Sequence, residues 1–516
     1  MELAPGKKIT HQSCSGGNLD APPYPHLKQM DVGTMPSTAT WPTHFSRRVV
    51  PKTPTGDSLS SVCIALEAWR RDLTVTFNSG NLHHYTICDG ARELKFDCSM
   101  PATYTGREDK LRLIRKAVAN DILESHQLPV PRSIMFSISG TSSAELRKHV
   151  AKIGFPLVLK PNVGSVGRGV FVNLRSWDEL AASVQHLAKT GTDKVIVQSH
   201  HRGDDLRILV VGDSVASAIR RVPANVTGDG VHSIRDLIAL KNRGRRQNPF
   251  LSKGMIRVDH EIENSLKEQQ LTIDTIPKLG QYIYLRKVAN ASAGGDVVDI
   301  TSDLPAAVKD AAIAAVKVMP NVKVAGVDVL YEASTGEFVI IEMNSRPHIG
   351  VNMYPSVGAG ADVPKLYLDY FFPDSARRED VDDSMLAFEI APIRRLLLSQ
   401  ASEAVSLAPL PEHRFPFRRV YSFEESTGEF QISPKQEHRI LSIAARLRIT
   451  GRLRRRNGRV ELIVAGDRDS SMREIARLVS EVANVNISGR SPWRSVLTHG
   501  FFVEASLVRT RHSTQS

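Results

Sequence analysis

Two groups of residues in this 516-residue sequence have the types and spacing to do chemistry. The first lies in FPLVLKPNVGSVGRGVFV, residues 155–172, where Lys160 closes an apolar run and Gly164, Ser165, Gly167 and Gly169 follow it. A lysine in that place is ordinarily a solvated strand end. Glycines at this spacing change the reading, because they let backbone N–H groups close over phosphate oxygens with no Cβ in the way. The ammonium at the strand end can then neutralise a phosphate. Since the lysine precedes the glycines, the stretch is not a GxxxxGK[ST] phosphate loop.

The second group lies in VAGVDVLYEASTGEFVIIEMNSRPH, residues 324–348. Two β-rich runs flank EASTGE, which reads as a hairpin. Symmetry about Thr335 sets Asp328 opposite Glu342, with Asn344 on the same face. The plain alternative is a pair of exposed strand residues. Like charges directly opposite one another destabilise a bare hairpin, so a shared cation explains them better. Two carboxylates and an amide oxygen suit Mg²⁺, with Mn²⁺ as the alternative.

The elements that must carry these groups read as follows. Residues 1–57, rich in Pro, Ser, Thr and Gly without periodicity, read as a disordered or loosely attached extension. A region over 58–135 begins with a helix and strand in SSVCIALEAWRRDLTVTF, then two strands around Asp89-Gly90. It ends with one amphipathic helix in EDKLRLIRKAVANDILESHQ, stopped by Pro129 and Pro131. Strands and helices alternate through 136–374, an α/β pattern. A proline-bearing linker occupies 375–416, and a β-α-β-β-α-β order over 417–508 predicts a small ferredoxin-like domain before a tail at 509–516.

Composition narrows the classes. A hydrophobic content of 41% and a charged content of 24% describe an ordinary soluble protein of two to four domains. No apolar run approaches the roughly 18–20 residues that span a bilayer, so no membrane partner is expected. The first residues hold no apolar signal core, and four scattered cysteines show no metal-type spacing, which fits a reducing cytoplasm. A formal charge of +12 fits either nucleic acid or small anions such as ATP. Much of the excess lies in RILSIAARLRITGRLRRRNGR, whose eight arginines have no interleaved aromatics. Solvation of a helix and turn accounts for them, so no nucleic acid is expected.

A strand lysine, a flexible glycine loop and a Glu-x-Asn hairpin, in that order, resemble the ATP-grasp carboxylate–amine ligases over about residues 58–374. GDDLRILVVGDSVASAIRRVPANVTGDGVHSIRDLIALKN and LTIDTIPKLGQYIYLRKVANASAGGDVVDIT resemble the ATP-grasp region of bifunctional glutathione synthetases and cyanophycin synthetases. The resemblance implies an ATP-grasp fold, ATP and Mg²⁺, and amino acid or small peptide substrates, with self-association left open. It implies that Lys116 and Lys160 hold the nucleotide beneath a lid at Gly164, Ser165, Gly167 and Gly169. KVIVQSHHRGDDLR resembles the adenine-and-ribose hinge, with Gln198 where glutamate is commoner and Asp205 as the ribose acceptor. Arg221 and Arg286 are implied to meet the transferred phosphate and the acyl phosphate. Asp328, Glu342 and Asn344 are implied to hold magnesium, and Arg346 to clamp a substrate carboxylate. His348 is either a base or a structural histidine. The implied reaction activates a carboxylate as an acyl phosphate and releases ADP before an amine attacks.

The segment ILSIAARLRITGRLRRRNGRVELIVAGD resembles acylphosphatase, over about 417–508. Arg455 stands where that family places the asparagine that positions water, so the fold is expected and the hydrolysis is not. Two rival readings remain: an acyl-phosphate hydrolase or bifunctional ligase–hydrolase and, on the arginine cluster, a nucleic-acid-binding module.

Overall fold

The computed structural model describes residues 39–46, 49–50, 58–164, 169–377, 386–410, 415–424 and 430–508. Helix α1 (Ser58–Arg70) is buried on every side, as a helix with almost no polar stripe must be. It packs on a sheet of β1 (Thr74–Phe77), β2 (His84–Cys88), β3 (Glu93–Asp97) and β4 (Met100–Pro101). Phe45, Val49 and Val50 join the same core, and Trp41 Nε1 donates to Pro355 O at 3.0 Å. Part of the segment read as a loose extension is thus docked, because its few large apolar side chains find a buried site.

The single helix expected over 108–127 is two helices, α2 (Arg107–Ile114) and α3 (Lys116–Ser125), broken at Arg115. The cause is Asn162. Its carbonyl accepts from Lys116 N at 3.2 Å and its side-chain oxygen from Ala117 N at 3.1 Å, replacing the intrahelical partners of a fresh N-terminus. Sequence periodicity runs through the break, so only the tertiary contact reveals it.

Two layered units follow. In the first, β5 (Ser133–Ser137), α4 (Ser143–Ile153), β6 (Leu157–Pro161), β7 (Phe171–Leu174), α5 (Trp177–Lys189) and β8 (Lys194–Ser199) form a sheet of order β5-β8-β6-β7 under two helices. Ser176 caps α5 by accepting from Glu179 N, and Leu180, Ser183 and Leu187 make its buried stripe.

The second unit begins with β9 (Asp204–Val211), β10 (Ser214–Val222) and a small insertion. The insertion holds β11 (Asn225–Thr227), α6 (Ile234–Gln247), α7 (His260–Glu268) and β12 (Tyr282–Tyr284) around its own core. Then come β13 (Asp296–Asp299), α8 (Ala306–Lys317), β14 (Val324–Glu332) and β15 (Glu337–Asn344), giving the sheet order β13-β10-β9-β14-β15. Val308, Ala312, Ala315 and Val316, spaced for one helix face, press α8 onto this sheet. The short α9 (Gly350–Met353) and α10 (Val363–Phe371) return to the N-terminal core.

The region read as a linker is structured where it is described. Strand β16 (Leu386–Ala387) and helix α11 (Ile390–Leu398) precede β17 (Val405–Ser406), which pairs antiparallel with β1. Its prolines confine it to short elements, but Ile393, Leu397 and Leu410 are buried.

The last unit runs β18 (Phe417–Glu424), α12 (Pro434–Arg446), β19 (Thr450–Arg456), β20 (Arg459–Gly466), α13 (Asp469–Ala483) and β21 (Asn486–Pro492). Strands β22 (Leu497–Thr498) and β23 (Phe501–Val503) close it. The sheet order is β21-β18-β20-β19-β23. Two expectations are corrected. GFFVEAS is a fifth strand, added parallel to β19, while β21 takes the fourth place. The densest arginines, Arg452 and Arg454–Arg456, lie on β19, not on a helix and turn.

Candidate active site

Each of the two layered units turns one sheet face to its own core and the other to a shared cleft. On the first sheet Leu157, Leu159, Val195 and Val197 pack into the core. Strand alternation therefore puts Val158, Lys160, Ile196 and Gln198 on the opposite face, where Val158 pairs with Gln198 and Lys160 with Ile196. On the second sheet Leu206, Ile208, Val327 and Val329 face the core under α8. Asp205, Arg207, Arg221, Asp328 and Glu342 take the other face in adjacent register: Asp205 beside Arg221, Arg207 beside Asp328, Asp328 beside Glu342.

The hairpin register has an irregularity between Asp328 and Val329. From Glu332↔Glu337 to Val329↔Ile340 the strands pair symmetrically, and Ile341 is then extra. This bulge restores the Asp328–Glu342 pairing, and Asn344 falls opposite Gly326. Lys160 Nζ points to the bulge, lying 3.4 Å from Ile341 O. Lys116, placed by the break at Arg115, donates to Gly164 O at 2.9 Å and lies 3.4 Å from Glu342 Oε1. Both lysines thus converge on one carboxylate edge although 44 residues separate them in sequence.

Burial makes the electrostatics strong. Desolvation lowers the Lys160 pKa to about 8, with Lys116 adding to the fall, while Glu342 and Asp328 oppose it. Asp328, 4% exposed, has Arg207 Nη1 at 3.0 Å and Arg221 Nη2 at 3.5 Å. Its Oδ1 nevertheless makes no well-aligned hydrogen bond. Arg221 also grips Asp205 Oδ1 through Nη2 at 2.5 Å and Nε at 3.1 Å. Desolvation pushes the Asp205 carboxyl upward in spite of Arg221, and Asp328 adds to that push.

Other expected residues fall elsewhere or carry different contacts. Gln198 is buried and its Oε1 has no hydrogen-bond partner in the structure. Arg286 is not brought into this cluster by any described contact; it bonds Asp259 at 2.5 Å and Glu261 beside the small insertion. Arg346 reaches back to the N-terminal sheet, 3.2 Å from Asp97 and 2.7 Å from Cys98 Sγ. Gly169 (φ +69°) ends the glycine stretch where a Cβ would meet Leu187 Cδ2 at 2.9 Å. Ser165 and Gly167 lie outside the described residues.

Arg207 was missed. Its signal was present in DDLRILVV, where it sits two residues after Asp205 and hence on the same strand face. Among the described residues no group of three or more His, Cys, Asp or Glu side chains could cage a metal. Two carboxylates and an amide suit Mg²⁺, which takes one or two carboxylates and completes its shell with phosphate oxygens and water.

Residues 114–229 match the RimK-like ATP-grasp domain family. The matched stretch contains Lys116, Lys160, Gln198, Asp205, Arg207 and Arg221. The chain is similar to the glutathione biosynthesis bifunctional protein GshAB of Listeria monocytogenes, 32% identical over 271 residues, covering 51% of this chain and 34% of that protein. It is similar to cyanophycin synthetase of Crocosphaera subtropica, 32% identical over 264 residues, covering 49% of this chain and 29% of that protein. The match thus spans about a third of the length of these curated relatives. A bifunctional glutathione synthetase structure from Pasteurella multocida aligns with 61% of this chain and 43% of its own, at TM-score 0.48 and 24% identity. No helix among the described residues is long and apolar enough to cross a membrane.

Proposed function

We propose that this protein is an ADP-forming, ATP-dependent carboxylate–amine ligase acting on amino acids or small peptides. The observation that carries the reading is the convergence of the Lys116 and Lys160 ammonium groups, both within the stretch that matches the RimK-like ATP-grasp family, on the Asp328–Glu342 edge.

A carboxylate is a poor electrophile, so the reaction must first move the γ-phosphoryl group of ATP onto it. Lys116 and Lys160 supply fixed positive charge to the phosphates from a buried site where the attraction is weakly screened. Arg221 and Arg207 are held by Asp205 and Asp328, ready to meet the charge spread over the moving phosphoryl oxygens. Asp205 is better assigned as the partner that orients Arg221 than as a ribose acceptor, and Arg286 is left out of the phosphate set. Asp328, Glu342 and Asn344 would hold Mg²⁺, which when bound neutralises phosphate charge. Buried Gln198 offers its unpartnered oxygen to an adenine amino group. An amine then attacks the acyl phosphate, and Arg346 clamps a substrate carboxylate. Water must be kept out while the acyl phosphate exists, which is the work assigned to the stretch from Gly164 to Gly169.

The C-terminal unit is read as a ferredoxin-like domain of acylphosphatase type, supported by its β-α-β-β-α-β order and a 4-1-3-2 strand arrangement. Hydrolysis is read as lost. Arg455 occupies the water-positioning place, with its backbone N donating to Glu504 at 2.8 Å and its side chain to Phe430 O at 3.1 Å.

The test is ADP release with pooled amino acids, then single ones and pairs. Stimulated release that disappears in Lys160→Ala is expected; no stimulation by any pool, or stimulation unchanged in that variant, overturns the reading. Phosphate freed from acetyl phosphate and surviving Lys160→Ala would favour the hydrolase instead.

A further inference from the structure

One buried asparagine ties the two cleft lysines together. Asn162 follows Lys160 by two residues and precedes Gly164 by two. Its backbone N donates to Lys194 O at 3.0 Å, which carries the β6–β8 pairing past Pro161 and fixes Asn162 to the strand end that holds Lys160.

The other contacts of Asn162 go to Lys116. The stretch DKLRLIRKAVANDILES, residues 109–125, holds no glycine or proline to stop a helix. Arg115 N still finds Leu111 O of α2 at 3.1 Å, and Ala119 N bonds Arg115 O at 3.1 Å. Between them, Lys116 N and Ala117 N would continue the helix by turning to Arg112 O and Leu113 O. They are answered instead by the carbonyl of Asn162 and by its side-chain oxygen. The resulting break sends the Lys116 ammonium to Gly164 O and Glu342 Oε1. Like charges held this close repel, and Lys116 is one of the groups that lower the Lys160 pKa. The pair therefore needs an outside restraint.

We infer that Asn162 is a positioning residue of the nucleotide site, its side-chain oxygen setting the Lys116 ammonium beside Lys160. The inference rests on the ligase reading, in which the two lysines hold nucleotide phosphates. Asn162 acts through Lys116. In Asn162→Ala the Ala117 N–H loses its acceptor, α2 and α3 are free to run on as one helix, and Lys116 is drawn off the carboxylate edge.

Binding of ADP with Mg²⁺ to the full-length protein, measured by calorimetry in a double-mutant cycle, tests this. Asn162→Ala is expected to weaken binding about tenfold, the scale of one charge-assisted contact. In a Lys116→Met background, where the positioned group is gone, the further loss is expected to be less than about twofold. In a Lys160→Met background the loss is expected to remain whole. Asn162→Ser, a milder change, goes through the same cycle should the alanine variant fold poorly, and its smaller loss should likewise disappear with Lys116. A loss equal in the native and Lys116→Met backgrounds marks a general structural lesion and overturns the assignment, as does binding that Asn162→Ala leaves unchanged. Native protein that binds no nucleotide overturns the ligase reading itself, so the two failures are told apart.

Discussion

The Arg207 side chain lies across Gly326 on the neighbouring strand, so closely that a Cβ at position 326 would sit 2.8 Å from Arg207 Nη1 and 3.2 Å from its Cδ. This contact lets the guanidinium reach Asp328. In Gly326→Ala the colliding atoms belong to the far end of a flexible side chain, so the arginine moves and the sheet survives. A stability loss of about 1 kcal/mol or less is expected, with ADP formation falling about tenfold or more. Thermal unfolding and initial rates on the same preparation check both halves; an unchanged rate would show that Arg207 need not sit over Asp328.

Lys160 makes stability depend on pH in a calculable direction. Its folded pKa of about 8 lies below the ordinary 10.5, so between those values the unfolded chain holds a proton that the folded chain has released. Stability from this group therefore rises with pH across that window, and the full penalty of burying the ammonium is felt below about pH 8. The penalty is on the order of 3 kcal/mol. Ligand-free Lys160→Met should be more stable than the native protein at pH 7, with the gap closing toward pH 10. Denaturant unfolding of the pair at several pH values measures it; a gap constant with pH would place the lysine in water.

The two hairpin carboxylates should fail differently. Asp328→Asn leaves Arg207 and Arg221 short of a buried counter-charge and should cost about 3–5 kcal/mol. The Glu342 side chain is 31% exposed with Lys116 as its one ion-pair partner among the described residues. Glu342→Gln should keep its fold, within about 1 kcal/mol, and lose ADP formation. Full activity in the glutamine variant would remove Glu342 from the magnesium set.

How much of this could be read beforehand follows from where the information lies. The Asp328–Glu342 pairing was expected from symmetry about Thr335, but the strands leave the turn as Glu332↔Glu337, one residue off that symmetry, and only the bulge at Ile341, which no local pattern signals, sets the two carboxylates opposite each other. Lys160 was legible from the glycines after it. The break before Lys116 was not, since Asn162, 46 residues away, supplies the hydrogen bonds that end one helix and start another. Arg286 and Arg346 were assigned by resemblance alone. Their carboxylate partners, Asp259 and Glu261 for one and Asp97 for the other, depend on long-range packing that no local pattern encodes.

Arg346 is held by Asp97, which also accepts from Lys110 at 2.9 Å, and Ser99 Oγ donates to Pro347 O at 2.6 Å. The N-terminal sheet thereby fixes the chain just past β15. Lysine cannot reproduce a planar bidentate clamp. With whichever amino acid or peptide stimulates ADP release, Arg346→Lys should raise its KM about tenfold and leave the KM for ATP within about twofold. Asp97→Asn should shift the same constant by less. An equal rise in both KM values would mean that the whole cleft had moved.

The C-terminal unit should prove inseparable from the rest. Ile463, Ala465 and Leu497 belong to the core that α1 and the N-terminal sheet build, while their strand neighbours Leu462 and Val464 face the core of the C-terminal unit. Strand β16 pairs in parallel with β22, and Arg452 bonds Glu389 at 2.7 Å across the same junction. Ending the chain after residue 410 would uncover these apolar contacts, each buried Leu or Ile being worth about 1.5–3 kcal/mol. Of a total stability of only about 5–15 kcal/mol, that is a large fraction. The shortened protein should therefore be insoluble or unfold with a much lower midpoint, and Ile463→Asp in the full chain should weaken the N-terminal core as well as the C-terminal one. Hydrogen exchange resolves the two cores: lost protection in α1 and β1 is the expected result, and a loss confined to residues 417–508 would show an independent domain.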